Sequence, residues 1–219
     1  MMPPKVTFSQ DSIINAAFEI VRDRGFAELS ARMVADQLKS STGPVYTAFA
    51  SMEELKAAVI RKAEELLNNY ALQPYTKSVF LNMGTGIALF AQENPVLFRS
   101  MFMDAAIAAS MFENLKKTVS SHLDKDDLAS RLSMDDRQDV VHKLAIFVYG
   151  YASLICVGVI RDVNKNAVIK TMLEVGRNVI DNALGQCSSK AGGRTIRPKT
   201  VTAKRPQRSR KESFRGCAK

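Results

Sequence analysis

Residues 30–55 read SARMVADQLKSSTGPVYTAFASMEEL, and the spacing predicts two short amphipathic helices with a tight joint between them. Ser30 offers an N-cap, after which Ala31, Val34, Ala35 and Leu38 fall on one helical face. A short break follows. Ser41 is placed to cap the next helix, whose first turn holds Thr42, Gly43 and Pro44; proline is tolerated there because first-turn amides lack intrahelical partners. Val45 and Phe49 form its buried side. Ala35 is small where the helices cross, and Leu38 and Val45 fill the wedge between them, leaving the N-terminal turn of the second helix free. This is the pattern of a helix-turn-helix, whose second helix enters a DNA major groove. Ordinary helical bundles contain hairpins of the same spacing, so the pattern by itself leaves a purely structural role open.

Working outward, the first helix is capped by Ser9, carries Ile13, Ile14, Ala17, Phe18 and Val21 on one stripe, and stops at Gly25. Downstream, Ser51 and Glu54 make a capping box that opens a helix running to about Tyr70. Asn68, Asn69 and Pro74 mark a joint, beyond which residues 76–93, 95–102, 105–123, 134–161 and 166–184 read as five further helices. The acidic cluster at 124–127 reads as a solvated turn, and Gly185 as the stop after the last helix. Strand signals are nearly absent. The expected fold is therefore all-α, a three-helix helix-turn-helix head joined to a helical body. The expected division is 1–62 for the head, 63–185 for the body and 186–219 for a basic tail with too few large apolar residues to bury a core.

The 219 residues carry a formal charge of +9, but it is not evenly spread. Residues 190–219 hold 11 Lys and Arg against the single acid Glu212, while residues 1–62 hold 8 bases and 7 acids. DNA recognition by the head must then rest on geometry and a few placed groups. The tail either adds salt-sensitive, non-specific DNA affinity or is a dispensable extension. Cys156, Cys187 and Cys217 are too far apart for a disulfide framework or a zinc site, which fits a reducing compartment, and a cytoplasmic location is expected. His122 and His142 stand alone with no nucleophile beside them, so neither catalysis nor a metal or other cofactor is expected. Gly84-Thr85-Gly86 lies within a helical pattern and reads as a close helix contact rather than a phosphate loop. The uncharged run 144–160 spans only about 26 Å as a helix, against about 30 Å of membrane hydrocarbon, and reads as a helix buried by its neighbours, with no membrane partner.

Residues 14–55, INAAFEIVRDRGFAELSARMVADQLKSSTGPVYTAFASMEEL, resemble the N-terminal DNA-binding domain of the TetR family of bacterial transcriptional regulators. The resemblance includes Ala16-Ala17, Gly25-Phe26, Leu29-Ser30, Val34-Ala35, Val45-Tyr46, Phe49 and the opening from Ser51 to Leu55. Residues 91–103, AQENPVLFRSMFM, and 147–154, FVYGYASL, are similar to family members whose body carries a Trp-His-Gly signature, with Val148-Tyr149-Gly150 in its place. The resemblance implies a dimer that binds a double-stranded, pseudo-palindromic operator, represses, and responds to a small-molecule effector. It places Arg32, Ser41, Thr42, Gly43, Pro44, Tyr46 and Thr47 at DNA, with base contacts near the start of the recognition helix and hydroxyl contacts to phosphate from Tyr46 and Thr47. Two positions depart from many members: Met52 replaces a lysine, and Lys39 replaces a glycine in a turn that favours positive φ.

For the effector pocket the candidates are Phe90, Phe98, Met101, Phe102, Phe147 and Tyr151, with Met103 and Phe112 beside them, because methionine and aromatic side chains make adaptable apolar pockets. The same stripe reads more readily as ordinary core. With no buried charge foreseen, the expected effector is apolar or weakly polar. Residues 144–160 and 168–184 carry more apolar length than one protomer covers, which predicts two helices from each chain packed as a four-helix dimer core. The competing reading is an α-helical ligand-binding or enzymatic bundle whose hairpin only supports the fold.

Overall fold

The computed structural model describes residues 8–123, 126, 129–161 and 164–191. Among them it holds nine α-helices and two 3-10 turns, and no strand. Helix α1 (Gln10–Arg24) begins where Ser9 accepts the Ser12 amide and ends at Gly25, whose φ of 87° is open to glycine at little cost. A 3-10 turn, Phe26–Glu28, leads into α2 (Ala31–Gln37), capped by Ser30 on the Met33 amide. Helix α3 (Gly43–Ala48) and α4 (Met52–Ala71) follow. The foreseen caps hold at Ser9, Ser30 and Ser51, and fail at Ser41. Thr42 is the N-cap of α3, in helical conformation and without a side-chain cap bond, so α3 starts one residue later than the pattern predicts.

The body comprises α5 (Val79–Glu93), α6 (Pro95–Phe102), α7 (Ala105–Leu123), α8 (Met134–Cys156) and α9 (Lys165–Ala191). Three boundaries move from the sequence reading. Helix α5 starts at Val79 because Thr76 is held in a turn, its hydroxyl and amide bonded to Asn82 Oδ1, and Ser78 takes the cap. Helix α8 ends at Cys156, ahead of Gly158 with φ 73°, instead of reaching 161. Helix α9 passes through Gly185 to Ala191, so Gly185 is not its stop. The remainder of the basic segment, 192–219, lies outside the described residues.

Asp126 is the clearest departure. It was expected in a solvated turn, yet it is 2% exposed and its Oδ2 accepts from Ser78 Oγ at 2.7 Å and from the Phe80 amide at 2.9 Å. A buried carboxylate on the first-turn amides of α5 satisfies donors that the helix cannot, and favours the positive end of its dipole. The expectation that no charge is buried in the body is therefore corrected.

One continuous apolar core runs from Ile13, Val34, Val45 and Leu55 in the head to Phe90, Phe98, Val148 and Met172 in the body. Helix α4 passes position 62 without a break and serves both parts. Helix α5 is the axis of the body, packed against α4, α8 and α9. Gly84-Thr85-Gly86 lies at these crossings. Thr85 is fully buried and returns its hydroxyl to the Leu81 carbonyl, while a side chain at Gly86 would meet the α4 backbone at Tyr70 and Ala71. Cys156 is buried and donates to the Pro95 carbonyl, tying the end of α8 to the start of α6; burial pushes its thiol pKa up.

Candidate nucleic-acid interface and effector cavity

The recognition element is held from one side only. Val45 is 1% and Phe49 4% exposed, both in the core shared with α1 and α4, whereas Tyr46 is 58% exposed. Burying this one face turns the outer face of α3 to solvent. Gln10 Nε2 donates to the Ala48 carbonyl at 2.9 Å, fastening the far end of α3 to the start of α1. Sequence reasoning missed this contact, since a lone surface glutamine gives no signal of a bond 38 residues away. Arg32, Ser41, Thr42, Gly43, Tyr46 and Thr47 are all exposed and Pro44 is half-buried. Six of the seven candidate DNA residues lie on the 41–47 segment, and Arg32 is in the first turn of α2. Thr47 Oγ1 donates to the Gly43 carbonyl at 2.9 Å, so a phosphate would have to draw that hydrogen away. Tyr46 has no such internal bond among the described residues.

At the start of α4 the capping box forms in a shifted version, with Glu54 reaching back to the residue before the cap instead of to the cap itself. Ser51 Oγ accepts the Glu54 amide at 3.2 Å and Glu54 Oε2 accepts the Ala50 amide at 2.7 Å. Glu53 and Glu54 in this first turn, with Met52 where a lysine would add charge, weaken the terminus as a phosphate site. Lys39 has φ 52° and closes α2, with the Ser40 amide bonded to the Ala35 carbonyl at 2.9 Å. A non-glycine residue there carries strain, so Lys39→Gly should stabilise the protein by about 0.5–1 kcal/mol. Thermal unfolding checks this: an unchanged or lower Tm would show that the turn is unstrained.

In the body, a cavity of about 70 Å³ lies between α5, α6, α7 and α8. Phe98, Phe102, Phe112 and Phe147 line it; Phe90, Met101 and Tyr151 do not, and belong to the surrounding core. The lining residues not foreseen include Phe80, Met83, Gly84, Leu144, Val148 and Tyr149. Phe98 and Phe102 stack at 4.7 Å, and the Tyr149 hydroxyl donates to the Phe102 carbonyl at 2.9 Å. Apart from the Tyr149 phenol, no ionisable side chain lines the cavity. The head abuts the same helix: a Cβ on Gly25 would come within 2.7 Å of Ser100 Oγ, so α6 packs directly against the end of α1.

Comparison with known proteins bears on the head first. Residues 13–59 match the family described as bacterial regulatory proteins, tetR family. Over these residues the head is similar to that family. The body follows the same plan in solved structures. A transcriptional regulator from Rhodococcus sp. Rha1 matches with a TM-score of 0.62 at 15% identity, over 81% of this chain and 98% of its own. A tetR-family transcriptional regulator from Streptomyces coelicolor gives 0.61 at 15% identity over 85% and 86%, and a TetR-like regulator from Rhodococcus sp. RHA1 gives 0.56 at 18% over 83% and 99%. At these identities the likeness is one of fold. No curated protein matches the chain in sequence.

On this TetR-like fold, α8 presents an unpartnered stripe. Ile146 (59% exposed), Leu154 (44%) and Val157 (53%) lie with Tyr149, Gly150 and Ser153 on one side of the helix, while Val140, Leu144, Val148 and Ala152 are buried on the other. Helix α9 differs from the sequence expectation. Its Val168, Met172, Ile180 and Ala183 are buried within the protomer, and its exposed positions are mostly polar, among them Lys170, Glu174, Arg177 and Asp181. Helix α8 is also long and apolar enough to cross a membrane by length and composition, a property that buried core helices share. His142 is exposed, and His122 Nδ1 lies 2.9 Å from the Thr118 carbonyl. Among the described residues no cluster of His, Cys, Asp and Glu is suited to a metal ion.

Proposed function

We propose that the protein is a dimeric, effector-responsive repressor that binds a pseudo-palindromic operator in the cytoplasm. The observation that carries this reading is the one-sided anchoring of α3: Val45 and Phe49 fix the helix while Tyr46, Thr47 and the Thr42-Gly43-Pro44 turn face outward. Arg32 is the group able to make a bidentate pair with guanine, Thr42 suits a thymine methyl, and Tyr46 suits a phosphate. One such helix reads few bases. Pairing through the apolar face of α8, with polar positions of α9 at its margin, gives two heads for half-sites about one helical turn apart.

Response to an effector follows from the placement of α6. Phe98 and Phe102 line the cavity, and the same helix bears on Gly25 at the end of α1. A molecule that enlarges the cavity shifts α6, and with it the head, toward a spacing unsuited to the operator. Only the difference in its affinity for the two arrangements drives release. Assignment to the Trp-His-Gly-type subfamily rests on residues 91–103 and 147–154. The basic tail adds little to operator choice.

Tyr46→Phe tests the interface. Loss of one hydroxyl–phosphate bond in each half-site costs about 1–3 kcal/mol in total, or about fivefold to 150-fold in affinity. Gel-shift titration on the DNA upstream of the gene, with circular dichroism as a fold control, measures it; unchanged affinity would remove Tyr46 from the interface.

A further inference from the structure

Lys39 holds a strained backbone with no side-chain contact inside the protein to account for it. Its φ of 52° lies in the left-handed region, where glycine sits freely and lysine is uncommon. The residue is exposed, and among the described residues its side chain makes no ion pair, hydrogen bond or ring contact. Asp36, the nearest acid in sequence, meets it only through the backbone, its carbonyl accepting the Lys39 amide at 3.1 Å. Strain of this kind concentrates at binding and switching segments, where the position of a side chain matters more than the lost stability. The place is informative. Lys39 stands in the joint between α2 and α3, three residues before Thr42, the N-cap of α3. A helix whose first turn enters a major groove about 12 Å wide brings the chain leading into it across the rim of the groove, where the phosphates lie. Residues 39–41 are that chain, and Lys39 is its one cation.

Other cations of the head are already engaged. Arg22 pairs with Glu19 and Asp23, Lys62 donates to Asn15 Oδ1 at 2.6 Å and lies over the Phe18 ring, and Lys56 lies over the Phe26 ring. Residues 25–55 hold only Arg32 and Lys39 against the acids Glu28, Asp36, Glu53 and Glu54, and the last two occupy the first turn of α4. We propose that Lys39 is a DNA-phosphate contact of each head, its ammonium neutralising a backbone phosphate at the rim of the groove that α3 enters. The assignment rests on the reading of α3 as the recognition helix and adds the charge that the nearly balanced head otherwise lacks there. A phosphate contact carries no base information, so Lys39 sets affinity and its salt dependence, not operator choice. Stability and binding are opposed at this position: relieving the strain with glycine removes the charge.

Fluorescence anisotropy of the full-length protein on the genomic DNA fragment it binds most strongly, repeated across a salt series, tests this in Lys39→Gly and Lys39→Asn. Glycine relieves the strain and removes the charge, whereas asparagine removes the charge and accepts the left-handed backbone. For a dimer, loss of one phosphate contact in each head flattens the slope of log affinity against log salt by about 1.8. The affinity lost between about 50 and 200 mM salt then becomes about tenfold smaller in both variants. Lys39→Gly should show this together with a raised Tm. The basic tail is the same in every protein compared, so its own salt dependence cancels. Weaker binding at an unchanged slope in both variants would make Lys39 a matter of turn geometry alone and overturn the proposal, as would unchanged binding. A natural protein that binds no genomic fragment would overturn the recognition-helix reading along with it.

Discussion

Gly86→Val should leave little soluble, folded protein. Even the first carbon of the new side chain would run into the carbonyl group of Tyr70 and lie 2.6 Å from the Ala71 Cα, and neither is the movable end of a side chain. The crossing of α4 and α5 would have to open. Gly86→Ala gives the measurable form of the same effect. Helix propensity favours alanine by about 1 kcal/mol, but overpacking a close backbone contact costs about 3 kcal/mol, leaving a net loss of about 2 kcal/mol. For a chain of this size that corresponds to a fall in Tm of about 4–8 °C. Gly185→Ala is the control, because nothing lies within 4 Å of its Cβ position and the residue sits inside α9. It should stabilise by about 0.5–1 kcal/mol. Equal effects at the two positions would contradict the close crossing.

The second large effect is expected at α8. Ile146→Glu with Leu154→Glu places two carboxylates on the exposed apolar stripe, where the isolated protomer loses little because both side chains already face solvent. If that stripe is the seam between two copies, four like charges meet across it. Light scattering at micromolar concentration should show a dimer for the natural sequence and a monomer for the double variant. Operator affinity should fall about a hundredfold or more, since the second head no longer binds as part of the same molecule. A double variant that remains dimeric would move the seam elsewhere, and a natural protein that is monomeric would remove it.

Local signals made the head legible. Ser9, Ser30 and Ser51 cap through side chains whose partners lie three residues away, and Gly25 breaks α1 through a conformation that glycine adopts freely. The strain foreseen at Lys39 is present for the same reason. Contacts that close over long distances were not readable. Asp126 looked solvated beside other acids, yet it is buried on Ser78 and Phe80, 48 and 46 residues earlier in the chain.

The cavity of the body was only half readable for a related reason. Aromatic spacing marks Phe98, Phe102 and Phe147 as inward-facing, but it cannot separate a wall of the cavity from the solid core around Phe90 and Met101. That separation depends on small residues such as Gly84 and Ala145, which set where packing leaves a gap. The exposed apolar stripe of α8 shows the same limit. Apolar length in α8 and α9 is similar in sequence, but α5 covers the apolar side of α9 and leaves part of α8 open.

The +9 charge does not locate the operator contacts, because the head is nearly balanced and the excess lies in the tail. The central claim is that two α3 helices read two half-sites by geometry. Selection of bound fragments from genomic DNA, followed by footprinting of the strongest, tests it most directly. The account predicts a pseudo-palindrome whose protected half-sites are separated by about one helical turn and whose protection is unchanged when residues 192–219 are removed. Protection without a preferred sequence, or sequence preference lost with the tail, would contradict it.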